Sequence, residues 1–231
     1  MNRAECKYKQ IEEAKMEGPS DGRAWTIYNS GCESLTETFF SVFSSEKHSP
    51  FYSIQSFVDS YRNRFNRLPT GLEIAGQGKL FEEYGMKGIA NTLAAPHFLR
   101  DQNSQFLFRD KTDQRVSFVV GDINKQRTQK DIARKIRTEL YSPPSLVVYR
   151  PAGGIYYIEK SSKFYQHLIQ WLLSVSDQRQ VLLLMELPQS VERGIAPFLN
   201  HLSNKQGYEV SLHNTDLDRN ELSGELRISK F

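Results

Sequence analysis

Two acidic residues beside glycines are the clearest candidates for chemistry in this sequence. Glu73 lies in the stretch LEIAGQG, where Gly76 and Gly78 follow it, and Asp122 follows Gly121 in VSFVVGDIN. Glycine lets the backbone approach a ligand closely, and a carboxylate can accept hydrogen bonds from that ligand. Both stretches contain apolar runs typical of buried strands, so the sequence predicts a ligand site outside the strand ends.

The glycines of the first stretch do not match two common phosphate-binding patterns. A dinucleotide fingerprint needs glycine where Phe81 stands, and a P-loop needs glycine at Glu73 and serine or threonine at Leu80. Two interpretations remain, namely a ligand-binding turn and a purely structural strand-to-helix turn. For Asp122 the corresponding alternative is an aspartate that caps a helix or stabilises a turn.

Short apolar runs alternate with helical patterns after residue 50, which predicts an α/β fold with a parallel sheet covered on both faces. The predicted strands are 71–75, 88–93, 116–121, 146–149 and 181–187. The stretches YEVSLH and GELRISKF then alternate apolar and polar residues, which is typical of an antiparallel hairpin. The predicted fold class is therefore a doubly wound, mostly parallel, Rossmann-like sheet of seven strands.

Helices are predicted at 50–65 and 125–140, and a third begins after a cap at Ser161 or Ser162. A fourth helix follows strand five, with its start delayed by Pro197. Between strands two and three the pattern is weak and predicts a short helix and an added strand at 106–109.

Composition restricts the possible classes of protein. The chain has 231 residues, of which 39% are hydrophobic, and its net charge of +3 does not by itself imply a polyanionic partner. Cys6 and Cys32 show no disulfide or zinc spacing, which favours a cytoplasmic location. No apolar run is long enough to cross a membrane, and the charged N-terminus does not resemble a secretory signal. Residues 1–49 are interpreted as a partly helical extension and 50–231 as one α/β domain.

Five parallel strands with crossover helices, a glycine turn after the first strand and a terminal hairpin resemble the class I S-adenosylmethionine-dependent methyltransferases. LEIAGQG resembles the first motif of that family, and VSFVVGDIN resembles its third-strand motif. The resemblance implies S-adenosylmethionine as the cofactor. It places three groups of residues around that cofactor: Glu73, Ala75, Gly76 and Gly78 at the methionine end, Asn91 near the ribose, and Asp122 with Ile123 at the adenine.

The chain departs from the family pattern at three positions. Ala75 and Gln77 stand where glycines are usual, and Ala90 replaces the acid that normally holds both ribose hydroxyls. Loss of such a charge-assisted bidentate contact would cost about 1.5–3 kcal/mol. The resemblance therefore implies a cofactor site of reduced affinity.

The same resemblance places the methyl acceptor beside the loops after strands four and five. It implies acceptor-side roles for Tyr149, Arg150 and Glu159, whereas Tyr156 and Tyr157 are interpreted as packing residues. The Asn/Asp-Pro-Pro-aromatic motif of the members that methylate amino groups is absent from YRPAGG. The acceptor is therefore expected to be a small molecule or a protein, and methylation of nucleic-acid bases is disfavoured.

The predicted helix 125–140 is rich in lysine and arginine, which allows nucleic-acid binding, but a solvated outer face without aromatic residues is the favoured interpretation. Two main functional hypotheses follow, and a third, a nucleic-acid methylating enzyme that binds through this helix, ranks below them. The first is a divergent methyltransferase that uses S-adenosylmethionine. The alternative is a catalytically inactive methyltransferase-like module that acts through protein contacts. The sequence leaves the oligomeric state open.

Overall fold

The computed structural model describes residues 54–74, 78, 80–81, 84–92, 115–149, 161–215 and 223–230. The helices in these ranges are α1 (Ile54–Phe65), α2 (Gln126–Lys135), α3 (Ser162–Val175) and α4 (Gln189–Gln206), and a π-helical turn, Ile136–Leu140, continues α2. The strands are β1 (Gly71–Ile74), β2 (Gly88–Thr92), β3 (Val116–Val120), β4 (Leu146–Tyr149), β5 (Val181–Pro188), β6 (Glu209–Thr215) and β7 (Ser223–Lys230). The predicted extension 1–49 and the predicted strand at 106–109 lie outside the described residues.

All seven strands belong to one sheet in the order β3-β2-β1-β4-β5-β7-β6. The pairs among β1 to β5 are parallel, and β7 pairs antiparallel with both β5 and β6. The predicted fold class is confirmed. The chain winds outward from β1 to β3 and then restarts beside β1 with β4, so the sheet has its topological switch point between β1 and β4.

Apolar side chains cover the sheet on both faces. One core joins the sheet to α2, α3 and α4, and the other joins it to α1. Burial on both faces explains why every residue of β4 is apolar. Val147 and Tyr149 belong to the first core, whereas Leu146 and Val148 belong to the second. A strand that is buried on both faces has no side left for polar residues.

Phe81 packs into a slot formed by two glycines on neighbouring strands. Gly71 of β1 and Gly88 of β2 are paired in register, and Phe81 is fully buried against them. A Cβ added to Gly71 would lie 2.1 Å from Phe81 Cε1, and one added to Gly88 would lie 2.0 Å from Phe81 Cδ2. The helical turn at Leu80 and Phe81 can therefore approach the sheet only because both strands begin with glycine.

The predicted helices are confirmed with two differences, and residues 50–53 of the helix predicted at 50–65 lie outside the described residues. The Ser161 hydroxyl caps α3 by accepting from the backbone N–H of Phe164 at 3.4 Å. The predicted delay at Pro197 is wrong, because α4 begins at Gln189 and contains the proline. Pro197 lies on an exposed part of the helix, where water can solvate the carbonyl that the missing N–H leaves without a partner. The end of the predicted helix 125–140 is a π-helical turn rather than regular α-helix.

Candidate functional site

The residues singled out from the sequence meet at the carboxyl edge of the sheet. Ile74, the last residue of β1, is in register with Asn91 of β2 and with Tyr149 of β4. Asn91 is in turn paired with Val119 of β3. The ends of four neighbouring strands therefore surround the switch point, which is where ligands bind in open α/β sheets.

Glu73 and Gly78 are joined across the turn that follows β1. Gly78 is buried with φ +71°, a conformation that favours glycine, and its backbone N–H donates to the Glu73 carboxylate Oε2. Glu73 is only 3% exposed, so this charge-assisted bond offsets part of the cost of burying a carboxylate. Gly78 is thus tied to the end of β1, the strand that precedes it.

Asn91 connects β2 to the end of β3. Its Nδ2 donates to the carbonyl oxygens of Val119 at 3.1 Å and Gly121 at 2.9 Å, and the residue is 3% exposed. Both amide protons are used within the protein, so a ligand could be contacted only through Oδ1. Ala90, at the place of the usual ribose acid, packs in the core on the α1 side. The predicted contact between Asn91 and a ribose stays a prediction.

Asp122 stabilises the turn between β3 and α2. Its Oδ1 accepts from the backbone N–H of Asn124 at 2.9 Å, and its carbonyl accepts from Lys125 N at 2.9 Å. Asp122 is partly exposed, whereas Ile123 is 8% exposed and packs in the core with Ile132. The structural role predicted as the alternative for Asp122 is present, and contacts of these residues with an adenine stay predictions.

Tyr149 is a core residue at the carboxyl end of β4. It is 2% exposed, and its ring packs edge-to-face with the ring of Tyr165. The two ring centroids are 6.2 Å apart and the interplanar angle is 80°. This packing is sufficient to explain the tyrosine, so its proposed acceptor-side role stays a prediction. Of the other predicted site residues, Ala75, Gly76, Arg150 and Glu159 lie outside the described residues.

Glu192 is a site candidate that the sequence reasoning missed. It lies in the first turn of α4, shortly after β5 ends at the same edge of the sheet, and it is partly buried. Burial raises the pKa of its carboxyl. The sequence feature that could have identified Glu192 is an acid in the first turn of a helix, a position that the helix dipole favours. It was missed because the delay expected from Pro197 placed the start of the helix too late. Among the described residues, no group of acidic, histidine or cysteine side chains could hold a metal ion.

The strand order and the antiparallel β7 match the fold that the sequence resemblance to class I methyltransferases implied. No helix in the described part of the chain is both long and apolar enough to cross a membrane.

No protein-family model matches the chain, and no curated protein matches it. Similar solved structures include an O-methyltransferase from Bacillus cereus in complex with SAH, with 12% identity over 96% of this chain and 91% of that one and a TM-score of 0.49. A putative O-methyltransferase from Klebsiella pneumoniae is 12% identical over 98% of each chain, with a TM-score of 0.45. The O-methyltransferase TomG from Streptomyces achromogenes in complex with SAM is 13% identical over 86% of this chain and 100% of that one, with a TM-score of 0.43. What this chain binds therefore has to be inferred from its own fold and side chains.

Proposed function

We propose that the chain is a divergent S-adenosylmethionine-dependent methyltransferase. The observation that carries the proposal is the bond from the Gly78 N–H to Glu73, which ties a glycine with a left-handed backbone to the end of β1 at the switch point of the sheet. The partly exposed Asp122 lies at the end of β3, on the same edge. Gly78 is bonded to Glu73, and a second carboxylate, Asp122, lies on the same edge of the sheet. This arrangement suits a ligand that has a charged amino-acid end and a purine end.

The residues present fit such a cofactor at its two ends better than in its middle. Backbone around Gly78 would hold the methionine part, and Asp122 would accept from the adenine amino group. The ribose would be held without the usual acid, because Ala90 is buried and Asn91 has committed both amide protons. A dissociation constant weaker than that of a protein with the acid is expected.

In methyl transfer the main task of the protein is to position the reactants, and no covalent bond to the protein is needed. The cofactor supplies a reactive sulfonium methyl group, and the protein aligns an acceptor atom with it and excludes water. Arg150 is proposed to hold an anionic acceptor, and Glu159 or Glu192 is proposed to take a proton from it. The acceptor itself is proposed to be a small molecule or a protein.

Calorimetric titration with S-adenosylhomocysteine at near-millimolar protein tests this function. Binding heat is expected for the wild-type chain and is expected to be lost in Asp122→Ala. Asp177→Ala is the matched control, because Asp177 Oδ1 accepts from Arg179 N at 2.9 Å in the same kind of turn. Asp177 precedes β5 and so lies at the opposite edge of the sheet.

Equal loss of heat in both aspartate variants would mean that Asp122 only stabilises its turn and makes no contact with the cofactor. Absence of heat in the wild-type chain, together with an unchanged melting temperature at saturating ligand, would contradict cofactor binding. That result would instead favour the inactive module that acts through protein contacts.

A further inference from the structure

The outer surface of α2 and its π-helical continuation carries a row of exposed cations. We call this row the basic face; it consists of Arg127, Lys130, Arg134 and Arg137. Its members recur every three or four residues, away from the buried side chains of the same helix, which are Thr128, Ile132, Ile136 and Leu140. At about 1.5 Å per residue, the row extends for about 15 Å.

Acidic residues neutralise little of the basic face. Asp131 lies 3.0 Å from Arg134, but both side chains are substantially exposed, and such pairs contribute little. Glu139 is directed instead to Lys135, at 2.7 Å, and to the Ser117 hydroxyl. Within the described residues, Arg127, Lys130 and Arg137 form no ion pair. The helix therefore presents concentrated positive charge to solvent.

Tyr141 ends the π-helical turn in a backbone conformation that tyrosine does not favour. It is 80% exposed and has φ +56° and ψ +11°, and its N–H donates to Ile136 O at 3.1 Å. Glycine or asparagine usually occupies such a helix stop, and another residue there costs roughly 1–2 kcal/mol. Because the ring is largely exposed, packing does not explain why a tyrosine stands at this position. An exposed aromatic ring held at a strained position points to a binding role.

We infer that the basic face and Tyr141 bind single-stranded nucleic acid, with phosphates along the cations and a base stacked on the ring. Cationic grooves combined with aromatic stacking platforms are how single strands are bound without sequence preference. A lipid surface would also attract the cations, but insertion of a helix into it needs an apolar face, and none of the large apolar side chains between Arg127 and Arg137 is exposed. The predicted helix 125–140 contains no aromatic residue, but Tyr141 follows it directly.

Fluorescence anisotropy with a labelled twelve-residue oligouridylate, measured over a series of salt concentrations and without cofactor, tests the cationic part. The variant is the triple change Arg127→Gln, Lys130→Gln and Arg137→Gln. The slope of log affinity against log salt is expected to become shallower by about 0.7 for each lost phosphate contact, or about 2 for all three. The matched control removes the same charge from other exposed sites through Arg62→Gln, Arg179→Gln and Lys205→Gln, and it should keep the wild-type slope.

Two single changes test the ring. Tyr141→Gly removes the ring and suits the backbone, so affinity should fall about fivefold or more while the melting temperature does not fall. Tyr141→Phe keeps the ring and should bind as the wild type does.

Equal slopes for the two triple variants, or wild-type affinity in Tyr141→Gly, would overturn the inference. Binding to vesicles of phosphatidylserine and phosphatidylcholine without binding to the oligonucleotide would assign the surface to lipid instead. The inference goes beyond the proposed function and does not need it: heat from S-adenosylhomocysteine should be the same in the basic-face variant and the wild type, so each proposal can fail alone.

Discussion

Asn91 Nδ2 lies 2.9 Å from the carbonyl oxygen of Gly121, so a side chain of β2 fixes the backbone where β3 ends. The same nitrogen reaches Val119 O at 3.1 Å. One buried amide thus satisfies two carbonyl groups next to the Asp122 turn, and the position of that turn depends on a residue in the neighbouring strand.

Asn91→Asp is expected to destabilise the fold rather than to supply a ribose-binding acid beside Ala90. Aspartate cannot donate as a carboxylate, and it would face two carbonyl oxygens in a buried place, which should cost about 1–3 kcal/mol or more. Urea unfolding should show a lower midpoint with an unchanged slope. The exposed Asn200→Asp adds the same charge within α4, away from the ends of that helix, and should unfold as the wild type does. Tighter binding of S-adenosylhomocysteine by Asn91→Asp would contradict this expectation.

Gly71→Ala is expected to destabilise the protein through Phe81. The new methyl group would collide with a fully buried ring, and overpacking of this kind costs about 1–3 kcal/mol. Chemical denaturation of Gly71→Ala, Phe81→Leu and the double variant forms a double-mutant cycle. The double variant should be more stable than the sum of the single changes predicts. Strict additivity would show that the ring does not determine the role of this glycine.

Gly78→Ala is expected to weaken cofactor binding more than its backbone strain requires. Gly207 provides the comparison, because it has φ +68° against +71° for Gly78 and ends α4 with open space around its added Cβ. Both alanine variants should lose roughly 1–2 kcal/mol of stability from the left-handed backbone. Only Gly78→Ala should reduce the heat of S-adenosylhomocysteine binding, and a similar reduction in Gly207→Ala would show that the loss reflects general destabilisation.

Glu139 should stabilise the fold by a small amount that disappears in acid. Partial burial acts to raise the pKa of its carboxyl, but hydrogen bonds from Lys135 and Ser117 and the charges of Lys135 and Arg134 outweigh burial and lower it. A lowered pKa in the folded state means that the stabilisation is present above the unfolded pKa and is lost as pH falls through the folded one.

The measurement for this pair is the unfolding free energy of Glu139→Gln as a function of pH. The partly exposed ion pair limits the difference from wild type at neutral pH to a few tenths of a kcal/mol, and it should shrink toward acid. A difference that grew as pH fell would show that the carboxylate is not stabilised by its cationic neighbours.

Six of the seven strands could be predicted from sequence to within about a residue because burial determines their composition, whereas β6 extends two residues beyond its predicted end. β4 is buried on both faces and was placed with correct limits, since no polar residue interrupts its run. Gly71 and Gly88 were recognised only as the starts of strands. Their role depends on strand register and on the ring of Phe81, which no local pattern contains.

The candidate site was predictable as a location more than as a set of contacts. The carboxyl ends of the strands converge because parallel strands share an edge, and that follows from the order of elements. The partners of Asn91 on β3 could not be foreseen, because they are backbone atoms almost thirty positions away in the chain. The strained Tyr141 likewise follows from a π-helical turn, which has no distinct apolar period in so short a stretch.

The placement of β7 between β5 and β6 means that this sheet cannot be completed in the order in which a ribosome makes it. β6 is synthesised before β7, although the two pair with each other. Until β7 is made, both β6 and the outer edge of β5 lack their neighbouring strand. During this interval the uncovered rim of β5 is a template for pairing with another nascent chain.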